Sequence, residues 1–298
     1  MSGIPTNRTN IGLPNSVATE ILAKTQEQSA VMQLAKAITL PGNGAQIPVI
    51  TSDPEAAWVS ETGIKPVSNP GLDKKIMQAH KLAVLVPFSN EFRRDAAALF
   101  DAIVERLPLA LAKKFDETVF FGPASGSLAN FDNLSNATAQ SLQSSVYGGF
   151  VAADTDIAEQ GGVMNGIILS PQGKGKVLGA LDGQNRPIFN DVASDGVPRI
   201  LGAQTLVEAA AYKAGTSGSA GTPDVIGFAG DWTKALYGIV EDLKIDYSDQ
   251  ATLIAGSGTG TYTINLFQQN MFAIRAEIEV GFVAQAAFFN KLTRTHSA

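Results

Sequence analysis

The chain has 298 residues, 45% of them hydrophobic and only 17% charged, with a formal net charge of -6. The negative balance argues against nucleic-acid binding through a basic face. The lack of cysteine excludes disulfides and thiolate metal sites, and two histidines, His80 and His296, exclude a histidine-rich one. So little charge implies that much of the surface is covered by something, copies of the same chain included, and the length allows two domains or one large one.

No apolar run reaches the roughly 18 residues of a membrane span. The N-terminal MSGIPTNRTNIGLP lacks the basic-then-apolar layout of a secretion signal. The expectation is a soluble intracellular product. Residues 1–14 carry Gly3, Pro5, Gly12 and Pro14 without periodicity, which predicts an arm that stays extended or disordered until it meets a partner. Asn15 or Ser16 can cap a short helix through about Gln28, with Val17, Ile21 and Leu22 as its apolar edge. Val31 to Ile50 reads as strand, interrupted by the turn Pro41-Gly42-Asn43-Gly44.

Residues 52–72 contain Pro54, Pro66, Pro70, Gly63 and Gly71 and have neither helical nor strand period. A loop of about 20 residues is uncommon in a compact domain and is usually functional or disordered. Trp58, Val59, Ile64 and Val67 within it need burial, either on the chain's own core or on another chain. Asp73 to Phe88 alternates in the manner of a strand and is expected to pair with the strand around Ala45–Ile50. The two would make an outsized hairpin with the loop at its tip.

From Ser89 to Gly122, Phe92, Ala96, Leu99, Phe100, Ile103, Leu107, Leu111, Phe115 and Val119 recur at steps of three and four. Arg93, Arg94, Asp101, Glu105, Lys113, Asp116 and Glu117 mostly fall off that face. The spacing predicts one long helix of about 50 Å. Ser89 can cap it, Glu91 suits its dipole, and Gly122-Pro123 supplies a stop. Pro108 predicts a bend near Arg106 or a break into two segments.

Residues 123–164 are rich in Gly, Ser, Asn and Ala, with a helix expected over Asp154–Glu159 and ended by Gly161-Gly162. Asn165–Leu169 reads as a buried strand. Ser170 and Pro171 then start a helix as cap and first residue, and Lys176–Leu181 continues it. Asp182-Gly183-Gln184-Asn185-Arg186-Pro187 reads as a turn, Arg199–Val207 and Asp224–Ala229 as strands, and Gly215–Gly221 as a flexible link. This middle block is α/β or α+β. The remainder is strand: Ala235–Glu241, Leu243–Tyr247, a glycine turn at Gly256–Gly260, Tyr262–Leu266, Phe272–Phe282 and Ala286–Leu292. Phe272, Ile274, Ala276, Ile278, Val280 and Phe282 give the cleanest alternation in the chain. The core is expected in the helix face from Phe92 to Val119 and the strands from Tyr262 to Phe282.

Catalytic chemistry finds little footing. Gly173-Lys174-Gly175-Lys176 lacks the first glycine of a phosphate loop and the Ser or Thr after its lysine, and reads as a helix turn with two exposed lysines. Gly256–Gly260 precedes a strand where a dinucleotide fingerprint precedes a helix. No Gly-x-Ser-x-Gly elbow occurs. Asp242, Asp246 and Asp249 lack calcium-loop spacing. His80 reads as structural. No cofactor or metal is expected, and the chain reads as a non-enzyme.

The order of features resembles the major capsid proteins of tailed bacteriophages, the Hong Kong 97 fold, from about Leu34 to Leu292. The markers are Ala57-Trp58 and Glu61 in the loop, His80-Lys81-Leu82-Ala83, and Ser89-Asn90-Glu91-Phe92 with Asp95 opening the helix. Asp182–Pro187 resembles that family's Asp-x-x-Gly-Arg-Pro turn, with Gln184-Asn185 as a departure, and Gly230-Asp231-Trp232 resembles its Gly-Asp-aromatic step. The resemblance implies an α+β capsid fold with four parts. These are an arm over 1–30, a peripheral domain over 31–51, 73–122 and 241–283 with a spine helix over 89–121, an extended loop over 52–72, and an axial domain over 123–240 and 284–298. It further implies that Trp58, Val59, Glu61, Ile64 and Lys65 of the loop, with Arg186 and Pro187 of the turn, make intersubunit contacts. Pentamers and hexamers would close into an icosahedral shell around double-stranded DNA held without sequence-specific contacts. The partners implied are further copies, a portal protein and a separate scaffolding or decoration protein, with no membrane. The place would be the virion capsid, assembled in the host cytoplasm.

Several members of that family carry a removable N-terminal scaffolding segment; with the arm starting directly after Met1, none is expected here, and scaffolding is expected from a separate protein or from none. The mature chain should then weigh within about 3 kDa of 31.2 kDa. Lys65, Lys74 and Lys75 lie in or near the loop, but no acceptor asparagine for a covalent crosslink is identifiable. Two alternatives stay open: an encapsulin-type shell of the same fold around protein cargo, and an α+β enzyme whose site is hidden.

Overall fold

The computed structural model describes residues 29–42, 44–52, 56, 58–60, 64, 65, 67, 71–89, 96–124, 126, 128–189, 199–217, 221–240, 244–255 and 262–296. Residues 1–28 of the arm expected over 1–30, with its short helix, Ser89's successors Asn90–Asp95 and the Gly256–Gly260 turn lie outside them.

The described residues open with a short helix, α1 (Ala30–Leu34), and strand β1 (Lys36–Thr39). Val31 was expected in a strand; Ser29 instead caps α1 by accepting from the Met32 amide at 3.0 Å. β2 (Ala45–Ser52) and β3 (Gly71–Met77) follow, then β4 (His80–Ser89) and α2 (Ala96–Phe121). The single strand expected over 73–88 is thus two. β3 pairs with β2, as expected, while β4 joins a different sheet. Ser89 is the last residue of β4, opposite Met271; the first turn it was expected to cap lies outside the described residues.

α2 is one unbroken helix of 26 residues, about 39 Å long. Pro108 does not divide it. Leu107 and Leu111, on either side of the proline, are buried against β4, β10 and β13, and that packing offsets the roughly 3 kcal/mol an internal proline costs. Gly122, at φ 79°, ends the helix by donating to the Thr118 carbonyl at 2.9 Å. Leu107, Leu111, Phe115 and Val119 are buried as the spacing predicts. Asp116 is buried too, at 0% exposure, although its charge had placed it off the face.

The middle of the chain forms β5 (Thr138–Ser141), α3 (Val146–Glu159), β6 (Gly166–Leu169), α4 (Pro171–Leu178), β7 (Gln204–Val207) and β8 (Asp224–Gly230). α3 is more than twice as long as its predicted part because Ser145 caps it, accepting from the Gly148 amide at 3.0 Å. α4 starts as predicted, with Ser170 accepting from the Gly173 amide and Pro171 first. Within the strand expected over 199–207, Ile200–Ala203 is a tight turn with Leu201 at φ 49°, and only Gln204–Val207 pairs. The chain ends with β9 (Ala235–Ile239), β10 (Lys244–Ser248), β11 (Thr252–Ala255), β12 (Tyr262–Asn265), β13 (Met271–Ala284) and β14 (Phe289–Arg294).

Two five-stranded sheets organise these elements. In the first, β13 is central: β4 lies along one side, with β10 and β9 on the other, and β1 adds parallel to β9. The second runs β5-β14-β8-β6-β7, antiparallel at its centre and parallel at both edges. This mixture makes the block α+β. β9 pairs into the first sheet, not the second. The predicted inward residues of β13, Phe272 to Phe282, are all buried. β11 and β12 form a separate two-stranded ribbon, and Tyr262 is exposed rather than part of the core. The C-terminal end of α2 bridges the sheets: Phe120 stacks on Phe228 of β8 at 4.8 Å, and Phe115 meets Phe282 of β13 edge-on.

Candidate functional site

β2 and β3 pair from Ala45–Met77 outward to Ile50–Leu72, slip register, and meet again at Ser52–Gly71. Eight residues of β2 span about 26 Å. The pair forms a sheet of its own, and at its root Met77, Ala45 and Ile47 pack with Leu40 and Val283. At its far end Trp58 is fully exposed, Ile64 is 96% exposed and Val67 88%, with Val59 also exposed. Lys65 is exposed beside Ile64, and Glu61 lies outside the described residues. The sequence allowed this loop to fold back over its own core; its described residues Trp58, Ile64 and Val67 are not covered by the chain itself.

The root of the hairpin is clasped. Lys75 of β3 donates to the Asp132 carboxylate at 2.7 Å and to the Ala284 carbonyl at 2.8 Å, and Asp132 also accepts from the Ala284 amide. The Gln78 amide donates to the Asn130 carbonyl, and His80 Nε2 lies 2.8 Å from the carbonyl of Ala129. One loop therefore holds β3, the start of β4 and the end of β13 together. His80 thus takes part in fastening the hairpin root. Lys75 is engaged here, and Lys65 is carried on the loop.

The predicted turn at Asp182–Pro187 is present. The Asp182 carboxylate accepts from the amides of Gln184 and Arg186, both at 2.8 Å, and from Arg186 Nε at 2.9 Å. The Arg186 amide, foremost of these donors, holds the Asp182 carboxyl below its usual range. Asn185 takes φ 59°, a left-handed conformation that asparagine adopts more readily than most residues. Arg186 and Pro187 are exposed. The turn is far from the hairpin in sequence and, among the described residues, shares no strand pairing with it.

Gly230-Asp231-Trp232 is internal. A Cβ on Gly230 would lie 2.2 Å from the Phe289 ring, Asp231 accepts from the Thr233 amide, and Trp232 is 1% exposed. The residue missed by sequence reasoning is Asp116. It accepts from Ser29 Oγ at 2.6 Å and the Ala30 amide at 2.9 Å, fastening residues 29–30 to the middle of the chain. Burial raises its carboxyl from an ordinary 3.8 to about 7, against the lowering effect of those two bonds. Its place at one residue beyond Phe115 and three before Val119 was the available signal.

Among the described residues, no three or more His, Asp or Glu side chains are grouped to hold a metal, and no helix is long and apolar enough to cross a membrane.

Residues 10–289 match the model of the phage capsid family. The probable major capsid protein gp17 of Mycobacterium phage L5 is 26% identical over 275 residues, covering 89% of this chain and 83% of its own. A structure from Mycobacterium phage Cain superposes with a TM-score of 0.70 at 21% identity, covering 100% of this chain and 96% of that one. The capsid of an empty GTA particle, computed with C5 symmetry, superposes at 0.62 with 15% identity, covering 99% and 95%. The fold is that of phage capsid proteins.

Proposed function

Because this chain belongs to the phage capsid family, we propose that it is the major capsid protein of a tailed phage, the repeating subunit of a closed shell. Pentamers and hexamers of it build an icosahedral container for double-stranded DNA. The observation that carries this reading is the hairpin: Trp58, Ile64 and Val67 stand fully or nearly fully exposed at the end of a self-paired ribbon. A group that large and apolar gains its burial only on another surface, and Trp is prominent among residues that dominate interfaces. Trp58, Val59, Glu61, Ile64 and Lys65 contact the adjacent subunit, and Arg186 and Pro187 contact neighbours around the capsomer axis. The first sheet with α2 serves as the peripheral unit and the second sheet as the axial unit.

The net charge of -6 suits a wall that confines DNA without gripping it. The portal and a separate scaffolding or decoration protein are its other partners, assembly takes place in the host cytoplasm, and the chain catalyses no reaction. Size-exclusion chromatography with light scattering tests the reading. Pentamers, hexamers or shells are expected, since obligate interfaces bury on the order of 2,000–5,000 Å². A monomer that persists at all concentrations overturns it.

A further inference from the structure

The second sheet carries exposed apolar groups that the hairpin contact does not use. α3 packs on β5, β14 and β8, and α4 on β8 and β6. Both contribute to one buried cluster, so they lie on the same face of the sheet, displaced toward opposite edges. α3 buries Val146, Phe150, Ala153 and Ile157 and leaves Tyr147 and Val151 exposed. Its charges are all acidic: Asp154, Asp156 and Glu159. No Lys or Arg occurs between Phe115 and Gly173. α4 is the converse. It carries Lys174 and Lys176 with no acid, and Leu178 and Leu181 are exposed at its end. Among the described residues, these five charges have no ion-pair partner within the chain.

One edge of this unit is therefore apolar and acidic, and the other apolar and basic. A two-fold contact between like edges would set acid on acid or lysine on lysine, which costs free energy. A head-to-tail contact pairs opposites, buries all four apolar side chains, and closes a ring if the rotation permits. We propose that the α3 edge of one copy docks on the α4 edge of the next, so that a second copy of this chain occupies each face and the ring closes by this pairing. The inference rests on the self-assembly reading and specifies which surfaces join around a capsomer.

The absence of cysteine makes the test direct. Full-length chains carrying Val151→Cys alone and Leu178→Cys alone are co-expressed, oxidised with diamide and compared with each expressed singly. The mixture should give at least about tenfold more disulfide-linked dimer than either alone, the scale of one favourable contact. Particles with no excess in the mixture, or Val151→Cys crosslinking equally by itself, overturn the pairing and leave assembly standing. Absence of any oligomer overturns both. Charge exchange gives a second measurement, made on chains whose unfolding temperature matches the parent. Lys174→Glu with Lys176→Glu, or Asp154→Lys with Glu159→Lys, should each cut particle yield about tenfold, and the two sets combined should restore it. Folded combined chains that fail to recover would overturn the pairing.

Discussion

Trp232 is 1% exposed, donates its indole N–H to the Gly166 carbonyl at 3.0 Å, and meets Phe289 edge-on at 5.1 Å. Trp58, the chain's other tryptophan, is fully exposed at the end of the β2–β3 hairpin. Gly166 lies so close under the buried ring that a Cβ there would sit 2.5 Å from it. Around Trp58 the described chain offers nothing comparable. The same side chain thus serves two kinds of burial. One is complete within the subunit and stabilises its fold; the other awaits a surface from another subunit and, on the reading proposed, stabilises the shell. Stability and assembly should therefore separate experimentally along this line.

The largest expected effect is on the buried side. Trp232→Ala should lower unfolding free energy by about 3–5 kcal/mol, the range for removing a large core aromatic. Chemical denaturation of the dissociated subunit reads this directly. An effect below about 1 kcal/mol would show that the core closes around the loss.

Asp116 supplies the next test, again inside the subunit. Its carboxyl is raised from 3.8 to about 7 by burial. A raised acid binds its proton more tightly folded than unfolded, so its contribution is fully present below about pH 4 and is lost as pH rises toward 7. Three units at 1.36 kcal/mol each set an upper bound of about 4 kcal/mol. Asp116→Asn keeps a neutral partner for Ser29 and Ala30. The stability difference between parent and variant should therefore change between pH 4 and 7 and be flat above. A difference that does not vary with pH would mean the carboxylate is ionised in the fold.

On the exposed side, Trp58→Ala should change subunit stability by less than about 0.5 kcal/mol while weakening each intersubunit contact by about 2 kcal/mol. Replacing residues 54–71 by a Gly-Asn turn should leave a folded subunit with nearly unchanged thermal unfolding and no closed particles. If the shortened chain still closed into shells, the hairpin would not be the clasp. If it failed to fold, the boundary between the two tryptophans' roles would be wrong.

How much of this was legible in the sequence follows the same division. Strict alternation from Phe272 to Phe282 identified β13 because both its neighbours are strands and one face is buried along its length. The hairpin was legible because prolines and glycines interrupt both periods just where large apolar residues appear. Local signals misled where a residue satisfies two descriptions. Asp116 reads as solvated because charge usually is, and only the fold brings Ser29 and Ala30 to it across 87 and 86 residues. Gly148 and Gly149 concealed the first half of α3. Gly149 is there because Ser141 and Leu142 approach it closely, a tertiary cause with no local trace. Of the site residues, the sequence left open whether Trp58 and Ile64 lie on the chain's own core or on another chain, and Arg186 and Pro187 came only from the resemblance; the clasp at the hairpin root was not legible at all, since Lys75, Asp132 and Ala284 are distant in sequence.

That clasp gives the smallest expected effect and joins the two regions compared above. Lys75 and Asp132 are each about one-third exposed, so their ion pair at 2.7 Å is partly screened by solvent. Lys75→Met keeps most of the aliphatic stem and removes the charge and both donated bonds. Asp132 retains the Ala284 amide, so no buried group is left wholly unpaired. The loss in subunit stability should be at most about 1 kcal/mol and should shrink as salt rises. The hairpin, however, is a lever about 26 Å long. A small loosening at Lys75 becomes a wide spread of positions at Trp58, and the contact at the far end must then order what the root no longer holds. Lys75→Met should therefore slow shell formation, followed by light scattering, more than its effect on unfolding would suggest. Equal and negligible changes in both measurements would mean that the β2–β3 ladder alone directs the hairpin.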